Sequence, residues 1–222
     1  YGDINERRHQ LHEVIRLSGM NLVINDVDMP LIVKVASIQK ERMQVYFIDN
    51  DEYFKQEDAF DDQGKLYADN DERCIFFAKG IIETVKKLNW SPDLIHIQGW
   101  LGALLPLYLR TYYKDEPIFY NTKTITCFLR SSFEGQLDAA LLSKVGFDEI
   151  TEKEAEELKE PHSLNLIKIA SRYSDAITTV KGTLPQEAID YIQGTGKPFL
   201  QGETIEATCK VYPQFYKELM HK

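Results

Sequence analysis

The longest regular pattern in the chain is a set of apolar residues that recur at spacings of three and four. Its members are Cys74, Phe77, Ala78, Ile81, Val85 and Leu88. This spacing predicts a helix over residues 72–89, and we expect its Phe77–Ile81–Val85 face to pack on a sheet. The run DNDE at residues 69–72 is a capping-box pattern, with Asp69 as the expected N-cap.

Shorter apolar runs, rich in β-branched and aromatic residues, predict strands on both sides of this helix. Three precede it and four follow it, at residues 21–25, 30–38, 42–49, 93–98, 122–129, 175–180 and 197–201. Further helices are predicted at residues 100–112, 151–160, 163–174, 185–193 and 211–221, and a short, charged helix or helical turn at residues 6–17. Pro106 is a candidate kink in one of them, and residues 50–71 are expected to form an acidic surface loop.

Helices alternate with short apolar strands from residue 72 onward, which is typical of a parallel sheet flanked by helices. We therefore expect an α/β, Rossmann-like fold in which a mostly parallel sheet carries helices on both faces. A single domain over residues 1–222 accommodates all the predicted elements.

Composition and charge narrow the class of partner. The 222 residues are 43% hydrophobic and 27% charged, and the net charge of −9 argues against nucleic acid or an anionic membrane as a partner. No apolar run reaches about 18 residues, so no transmembrane helix is predicted. The cysteines form no CxxC motif. We therefore expect no metal site, no disulfide framework and a reducing, cytoplasmic location.

The end of the strand LIHIQ is the most promising place for a ligand. In open parallel sheets, ligands bind beyond the carboxyl ends of strands. Here the strand ends at Gln98, Gly99 permits a tight turn, and Trp100 follows. A purely structural role is the alternative: His96 would be a hydrogen-bonded histidine within the strand, and Trp100 would be a packing residue. The residues taken alone favour this alternative. No glycine-rich phosphate loop is visible.

Three blocks in a fixed order resemble the N-terminal domain of bacterial glycogen synthases and plant starch synthases. They are QVYFIDNDEYF at residues 44–54, YADNDERCIFFAKGIIETVKKLNWSPDLIHIQGW at residues 67–100 and GALLPLYLRTYYKDEP at residues 102–117. A weaker similarity continues to SDAITTV, near residue 180. The resemblance implies one half of a two-domain retaining glucosyltransferase, which transfers glucose from ADP-glucose to an α-1,4-glucan. The sugar nucleotide is then a substrate, and no cofactor is implied.

The chain departs from the family pattern at two places. The family's H-x-H-D-W-H block reads HIQGWL at residues 96–101. Its last histidine, which helps to hold the donor glucose, corresponds to Leu101, and leucine neither donates a hydrogen bond nor carries charge. The family's VHN turn corresponds to Phe128-Leu129-Arg130, whereas Phe133-Glu134-Gly135 keeps the pattern that follows that turn.

The resemblance suggests a set of substrate-binding candidates and no assignable catalytic residue. The candidates are Asp69, Asn70, Arg73, His96, Gln98, Trp100, Arg130 and Glu134. We expect the end of the strand, Trp100 and the turn at residues 128–135 to line one concave face. Each position also has a structural explanation: a cap for Asp69, solvation for Arg73 and Glu134, and core packing for His96.

Two functions follow from the resemblance. The first is a glucosyltransferase domain that is inactive or incomplete as this chain alone, with the missing half supplied by a second chain or by a homo-oligomer. The second is a non-catalytic subunit that binds glucan or nucleotide, or serves in assembly. An unrelated nucleotide-binding module is a third interpretation. We expect the family's first strand and its K-x-G-G-L loop to lie upstream of Tyr1.

Overall fold

The first apolar runs form an antiparallel sheet. In a computed structural model that describes residues 4–55, 58–129 and 133–221, its strands are β1 (His12–Glu13), β2 (Met20–Ile24), β3 (Val27–Ile38) and β4 (Met43–Asp49). β3 pairs with the other three. Asn25 and Asp26 join β2 to β3 with φ values of 48° and 64°, the left-handed pair that a tight hairpin needs.

The second group of apolar runs forms a fully parallel sheet. Its strands are β5 (Leu94–Gln98), β6 (Lys123–Phe128), β7 (Ala176–Val180) and β8 (Phe199–Gly202), and they lie in chain order. This sheet confirms the predicted Rossmann-like class. Strands β1–β4 form a second, separate sheet that is antiparallel.

Helix α1 (Asn70–Lys87) packs on β2 and β4 of the antiparallel sheet and, on another side, against the segments Trp100–Gly102 and Leu105–Arg110 that follow β5. A Cβ atom on Gly80 would approach the Ile48 side chain of β4 to 2.8 Å, so this glycine lets the helix lie close to the first sheet. The predicted Phe77–Ile81–Val85 face is half-buried and packs on the core. The most buried positions, Ile75, Ala78 and Ile82, lie around the rest of the helix, because α1 is covered from more than one side.

The remaining helices cover both faces of the parallel sheet. They are α2 (Leu105–Arg110), α3 (Leu141–Gly146), α4 (Ser163–Tyr173), α5 (Gln186–Gly194) and α6 (Ile205–Met220). α6 crosses one face, where Leu219 packs with Ile125 and Ala176 in a small separate cluster. The other face carries Ile97 and Phe128, which belong to the main core together with residues of α4.

Several element predictions are corrected by the structure. The segment Glu6–Leu17 forms turns and β1 rather than a helix. Residues 151–160 form turns and one 3-10 segment, Glu156–Lys159. Residues 100–112 split into the 3-10 segment Trp100–Gly102 and α2, where Pro106 stands in the first turn rather than at a kink.

One helix was not predicted, and the N-terminal ends of two others differ from the prediction. The sequence pattern missed α3 altogether, and α6 begins at Ile205, where the Thr204 hydroxyl caps the helix by accepting from Ala207 N at 3.1 Å. Asp69 is the N-cap residue of α1, but its side chain makes no capping hydrogen bond.

Candidate functional site

The carboxyl edge of the parallel sheet is shaped by a tight turn after β5. Gly99 has φ = 83°, a conformation that residues with a Cβ rarely adopt. Its N–H donates to Cys127 O at 3.1 Å, which fixes the turn on the end of β6. A Cβ on Gly102 would lie 2.7 Å from Ile97, so the short 3-10 segment can pack directly on β5. These two glycines hold Trp100 at the edge of the sheet.

Trp100 meets the segment that follows β6. Its ring contacts Phe133 edge-on, with 5.0 Å between centroids. Glu134 is exposed beside this contact, and Gln98 is exposed at the end of β5. The structure therefore brings Trp100 together with Phe133, the described residue of the predicted turn that contacts it. Arg130 lies outside the described residues. The half-buried Leu101 packs against the core and presents no hydrogen-bonding group.

His96 lies elsewhere, beneath α6. Its Nδ1 is 2.5 Å from the hydroxyl of Tyr216, and its ring meets Tyr212 and Tyr216 edge-on. Burial lowers the pKa of His96, which favours the neutral imidazole at this position. Since Ile97 faces the main core, His96 points to the opposite side of the sheet. The structure does not place His96 on the Trp100–Phe133 surface.

Asp69 and Arg73 form an ion pair at the start of α1. Because α1 leads into β5 through a short connection, its first turn lies at the same edge as the end of β5. The Arg73 guanidinium binds Asp69 Oδ2 through Nε and NH2, both at 3.0 Å. It also donates to Asp58 O at 3.2 Å, and its side chain is buried. The pair ties the acidic loop to α1.

Asn70 has a similar anchoring contact. Its side chain is fully buried, and Nδ2 donates to Ala59 O at 2.7 Å. Among the described residues, Asn70 Oδ1 has no hydrogen-bond partner. Of the three predicted residues in this turn, Asn70 and Arg73 are therefore committed to holding residues 58–59, and only Asp69 is partly exposed.

Lys144 of α3 was not anticipated from the sequence, yet it organises this region. Its Nζ lies 2.6 Å from Asp71 Oδ2 and 2.8 Å from Glu72 Oε1. Burial raises the pKa of Asp71, although Lys144 opposes the shift. Glu72 also accepts a hydrogen bond from Tyr53 at 2.8 Å, so it is not free to complete a capping box. No local pattern around Lys144 signals these partners, because they lie about 70 residues away.

A groove of about 460 Å³ opens between the acidic loop and the segment after β6. Tyr67 and Lys65 line one wall, and Gln136 and Asp138 line the other. The second wall continues the chain from Phe133, so the groove and the Trp100 contact belong to one edge. Amide, carboxylate and ammonium groups beside one aromatic ring, that of Tyr67, suit a polyhydroxyl ligand. In the described residues, no cluster of three or more His, Cys, Asp or Glu side chains could hold a metal ion.

The chain is similar to known proteins across most of its length. The profile of a family described as the starch synthase catalytic domain matches residues 1–199. The glycogen synthase of Chlorobium luteolum is 32% identical over 202 residues, which are 88% of this chain and 40% of that protein. The glycogen synthase of Chlorobaculum parvum is 31% identical over 216 residues, 95% of this chain and 42% of that protein. The chain thus spans about two fifths of these relatives.

A solved structure shares the fold. It is the catalytic domain of starch synthase IV from Arabidopsis thaliana, bound to ADP and acarbose. The TM-score is 0.64 at 16% sequence identity, and the match covers 87% of this chain and 40% of that one. Across the described parts of the chain, no helix has the length and apolar character needed to cross a membrane.

Proposed function

Since the chain belongs to the starch synthase catalytic domain family, as the sequence blocks predicted, we propose that it is a glucosyltransferase domain that does not complete glucose transfer alone. Its substrates would be ADP-glucose and an α-1,4-glucan. The observation that carries the proposal is the turn after β5. Gly99 forms the tight turn that places Trp100 at the carboxyl edge of the sheet, where a ligand can bind. The next residue, Leu101, is half-buried and contacts the core.

The charges at this edge support the same conclusion. Glucose transfer needs cationic groups and N–H donors that stabilise the departing diphosphate. The Arg73 guanidinium is paired with Asp69, and the Lys144 ammonium is shared between Asp71 and Glu72. A net charge of −9 adds to the cost of capturing a dianion. The positive charge would then come from a second domain, a second chain or another copy of this chain.

A non-catalytic role in the same family is the second candidate. The apolar Leu101 favours it, because a binding subunit needs no group that acts on the donor glucose. Such a subunit would hold α-glucan or nucleotide without turnover. A cytoplasmic location belongs to both versions of the proposal and is supported by three unpaired cysteines, Cys74, Cys127 and Cys209.

An incorporation assay tests the proposal. The purified chain is incubated with radiolabelled ADP-glucose and glycogen, beside a calorimetric titration with ADP. We expect neither glucose incorporation nor saturable ADP binding by the chain alone, because the Arg73 and Lys144 cations at this edge are already paired. The Leu101→His variant should also remain inactive, because one restored side chain does not supply the charge that the diphosphate needs.

The contrary results are clear in each arm. Incorporation well above a boiled-chain control would overturn the statement that this chain is incomplete. Saturable ADP binding would overturn the statement that the positive charge for the diphosphate must come from outside this chain.

A further inference from the structure

The antiparallel sheet has an open edge at β4. In the part of the chain that the structure describes, β4 pairs with β3 along Met43–Asp49 and with no other strand. Its central residues, QVYFI at 44–48, carry no charge and no proline. Natural proteins ordinarily protect an edge strand with lysine, proline, a bulge or a short length. β4 is seven residues long and pairs with β3 without a bulge, so its edge is suited to pairing with another strand.

The hydrogen bonds of β3 show which backbone groups lie at this edge. The Val33 N–H donates to Ser18 Oγ at 2.9 Å, and Val33 O accepts from Val14 N at 2.8 Å. Val14 follows β1, which pairs with the same part of β3 as β4 does and therefore lies on its opposite side. Successive residues of a strand direct their N–H and C=O groups to alternate sides. The odd-numbered residues of β3 from Val33 to Ser37 therefore face away from β4.

Three residues of β4 consequently direct their backbone groups outward. Gln44, Tyr46 and Ile48 pair with these odd-numbered residues of β3, so their N–H and C=O groups point to the open edge. Within the described residues, none of these groups has a hydrogen-bond partner. The strand β2 on the other side of the sheet is partly covered, because Val23 O accepts from Lys79 Nζ at 2.8 Å. β4 is therefore the edge at which a further strand can add.

The two ends of β4 carry opposite charges. Lys40, Glu41 and Arg42 form the hairpin tip before the strand, with a net charge of +1, and Asp51 and Glu52 follow the strand. The side chains of Lys40, Arg42, Asp51 and Glu52 are exposed and make no hydrogen bond or ion pair with the described residues. When two copies of β4 pair antiparallel, the positive end of each strand meets the negative end of the other. Parallel pairing would set like charges together.

An apolar surface lies beside the same edge. Gln44 and Tyr46 line a groove of about 750 Å³ together with Leu88 and Trp90, which stand at the end of α1. Trp90 is 58% exposed and Met43 is 51% exposed. A strand that adds to β4 would cover part of this surface. Burial of apolar side chains would then reinforce the backbone hydrogen bonds, as it does at the core of protein interfaces.

We propose that β4 is a dimer interface, at which the chain pairs edge to edge and antiparallel with a second copy of itself. A two-fold axis at Tyr46 sets the backbone of this residue opposite its own copy and sets Gln44 opposite Ile48 of the second copy. This register pairs all the outward-facing groups. It also brings Arg42 beside Asp51 of the second copy. Because each copy uses the same edge, the contact closes as a dimer and does not continue into a filament.

The interface lies at the far end of α1 from the candidate site. The 18 residues of the helix, at about 1.5 Å each, place roughly 27 Å between the two regions. The dimer therefore rests on no part of the proposed function, and its test uses neither ADP nor glucan.

Sedimentation equilibrium of the purified chain measures the dimer directly. We expect a mass of twice 25.7 kDa at high concentration, which falls toward 25.7 kDa on dilution. Gln44→Pro removes one outward N–H at an edge position where proline is tolerated, and it should raise the dissociation constant of the dimer about tenfold or more. Asn21→Pro is the matched control. Asn21 lies opposite Pro30, which has no N–H, so its own N–H faces the outer edge of β2. Circular dichroism checks that both variants are folded.

Charge reversal gives an independent readout. Arg42→Glu should raise the dissociation constant about tenfold, because a two-fold axis sets the new carboxylate beside Asp51 twice. The double variant Arg42→Glu/Asp51→Arg restores opposite charges and should recover most of the affinity. Lys210→Glu on α6 changes the net charge by the same amount and should leave the dimer unchanged. Added sodium chloride should weaken the wild-type dimer.

Several results would overturn the proposal. One is a chain that remains monomeric at about 100 μM, a concentration at which even a weak specific dimer forms. Another is a dimer that Gln44→Pro affects no more than Asn21→Pro does, since the contact would then lie elsewhere. Failure of Asp51→Arg to rescue Arg42→Glu would refute the antiparallel register, and assemblies larger than a dimer would refute the closed two-fold contact. Glucose incorporation and ADP binding decide the proposed function separately, because they report on the other end of α1.

Discussion

Removing the Lys79 ammonium should cost a large part of the stability of the fold. Lys79 projects from α1, and its Nζ binds Asp148 Oδ1 at 2.5 Å and Val23 O at 2.8 Å. Tyr108 donates to the other oxygen of Asp148 at 2.7 Å. The lysine side chain is 4% exposed and the aspartate 9%, so water cannot replace the lost partner. One ammonium thus joins β2, α1 and the segment after α3.

The magnitude follows from this burial. Lys79→Met keeps most of the aliphatic stem but leaves the Asp148 carboxylate buried without its cation. Breaking a buried pair in this way costs about 3–5 kcal/mol, a large share of the roughly 5–15 kcal/mol that stabilises an ordinary domain. The double variant Lys79→Met/Asp148→Asn should lose less than Lys79→Met, because it leaves no buried charge and its new amide oxygen can still accept from Tyr108.

Urea denaturation, followed by circular dichroism, measures these differences. Lys181→Met is the matched control, because Lys181 pairs with Glu203 at the surface, with 66% and 74% of their side chains exposed. Surface changes of this kind usually shift stability by less than about 0.5 kcal/mol. If Lys79→Met lowers the free energy of unfolding no more than Lys181→Met does, the reasoning from burial is refuted.

Three further predictions concern the sheet edge and α6. Gly99→Ala should lower the free energy of unfolding by about 1 kcal/mol or more, which thermal denaturation measures. The cost comes from backbone strain at φ = 83° and not from a clash, because a Cβ at this position would meet no atom within 4 Å. Burial lowers the pKa of His96 in the folded state, so the stability that its neutral ring contributes should be lost as the pH falls below about 6.5. The urea midpoints at pH 5 and pH 8 should therefore differ less in the His96→Asn variant than in the wild type. Tyr216→Phe should cost about 0.5–1.5 kcal/mol in the same assay at pH 8, and no loss there would contradict the Tyr216–His96 bond.

The parts of the fold that the sequence predicted are those whose signal is local. The spacing of apolar residues between Cys74 and Leu88 correctly predicted α1, and the β-branched runs predicted most strands of both sheets. The segment Glu6–Leu17 was predicted as a short helix or helical turn, and its strand was missed, because its charged residues resemble a solvated helix face. Here the chain forms turns, and His12–Glu13 pairs with β3, a partner some 20 residues away.

The candidate site was harder to predict, because its side chains are committed to distant partners. Arg73 and Asn70 bind backbone carbonyls of residues 58–59, and a carbonyl leaves no mark in the sequence. The Trp100–Phe133 contact was within reach, because the ends of neighbouring parallel strands meet at one edge. The groove of about 750 Å³ between Trp90 and the tip of the β3–β4 hairpin could not be predicted, since the hairpin tip lies almost 50 residues earlier in the chain.

The position of α1 between the antiparallel sheet and the segments that follow β5 has a consequence for how the chain folds. The β2–β3–β4 sheet can bury its inner face only when α1 is present, and α1 also contributes to the core that the parallel sheet needs. Neither sheet therefore has a complete core of its own. We expect the amide hydrogens in the middle of α1 to exchange with solvent only when the whole structure opens, and both sheets to be lost in one kinetic step. If α1 is also the folding nucleus, substitutions of its buried residues should slow folding more than they speed unfolding, which φ-value analysis measures.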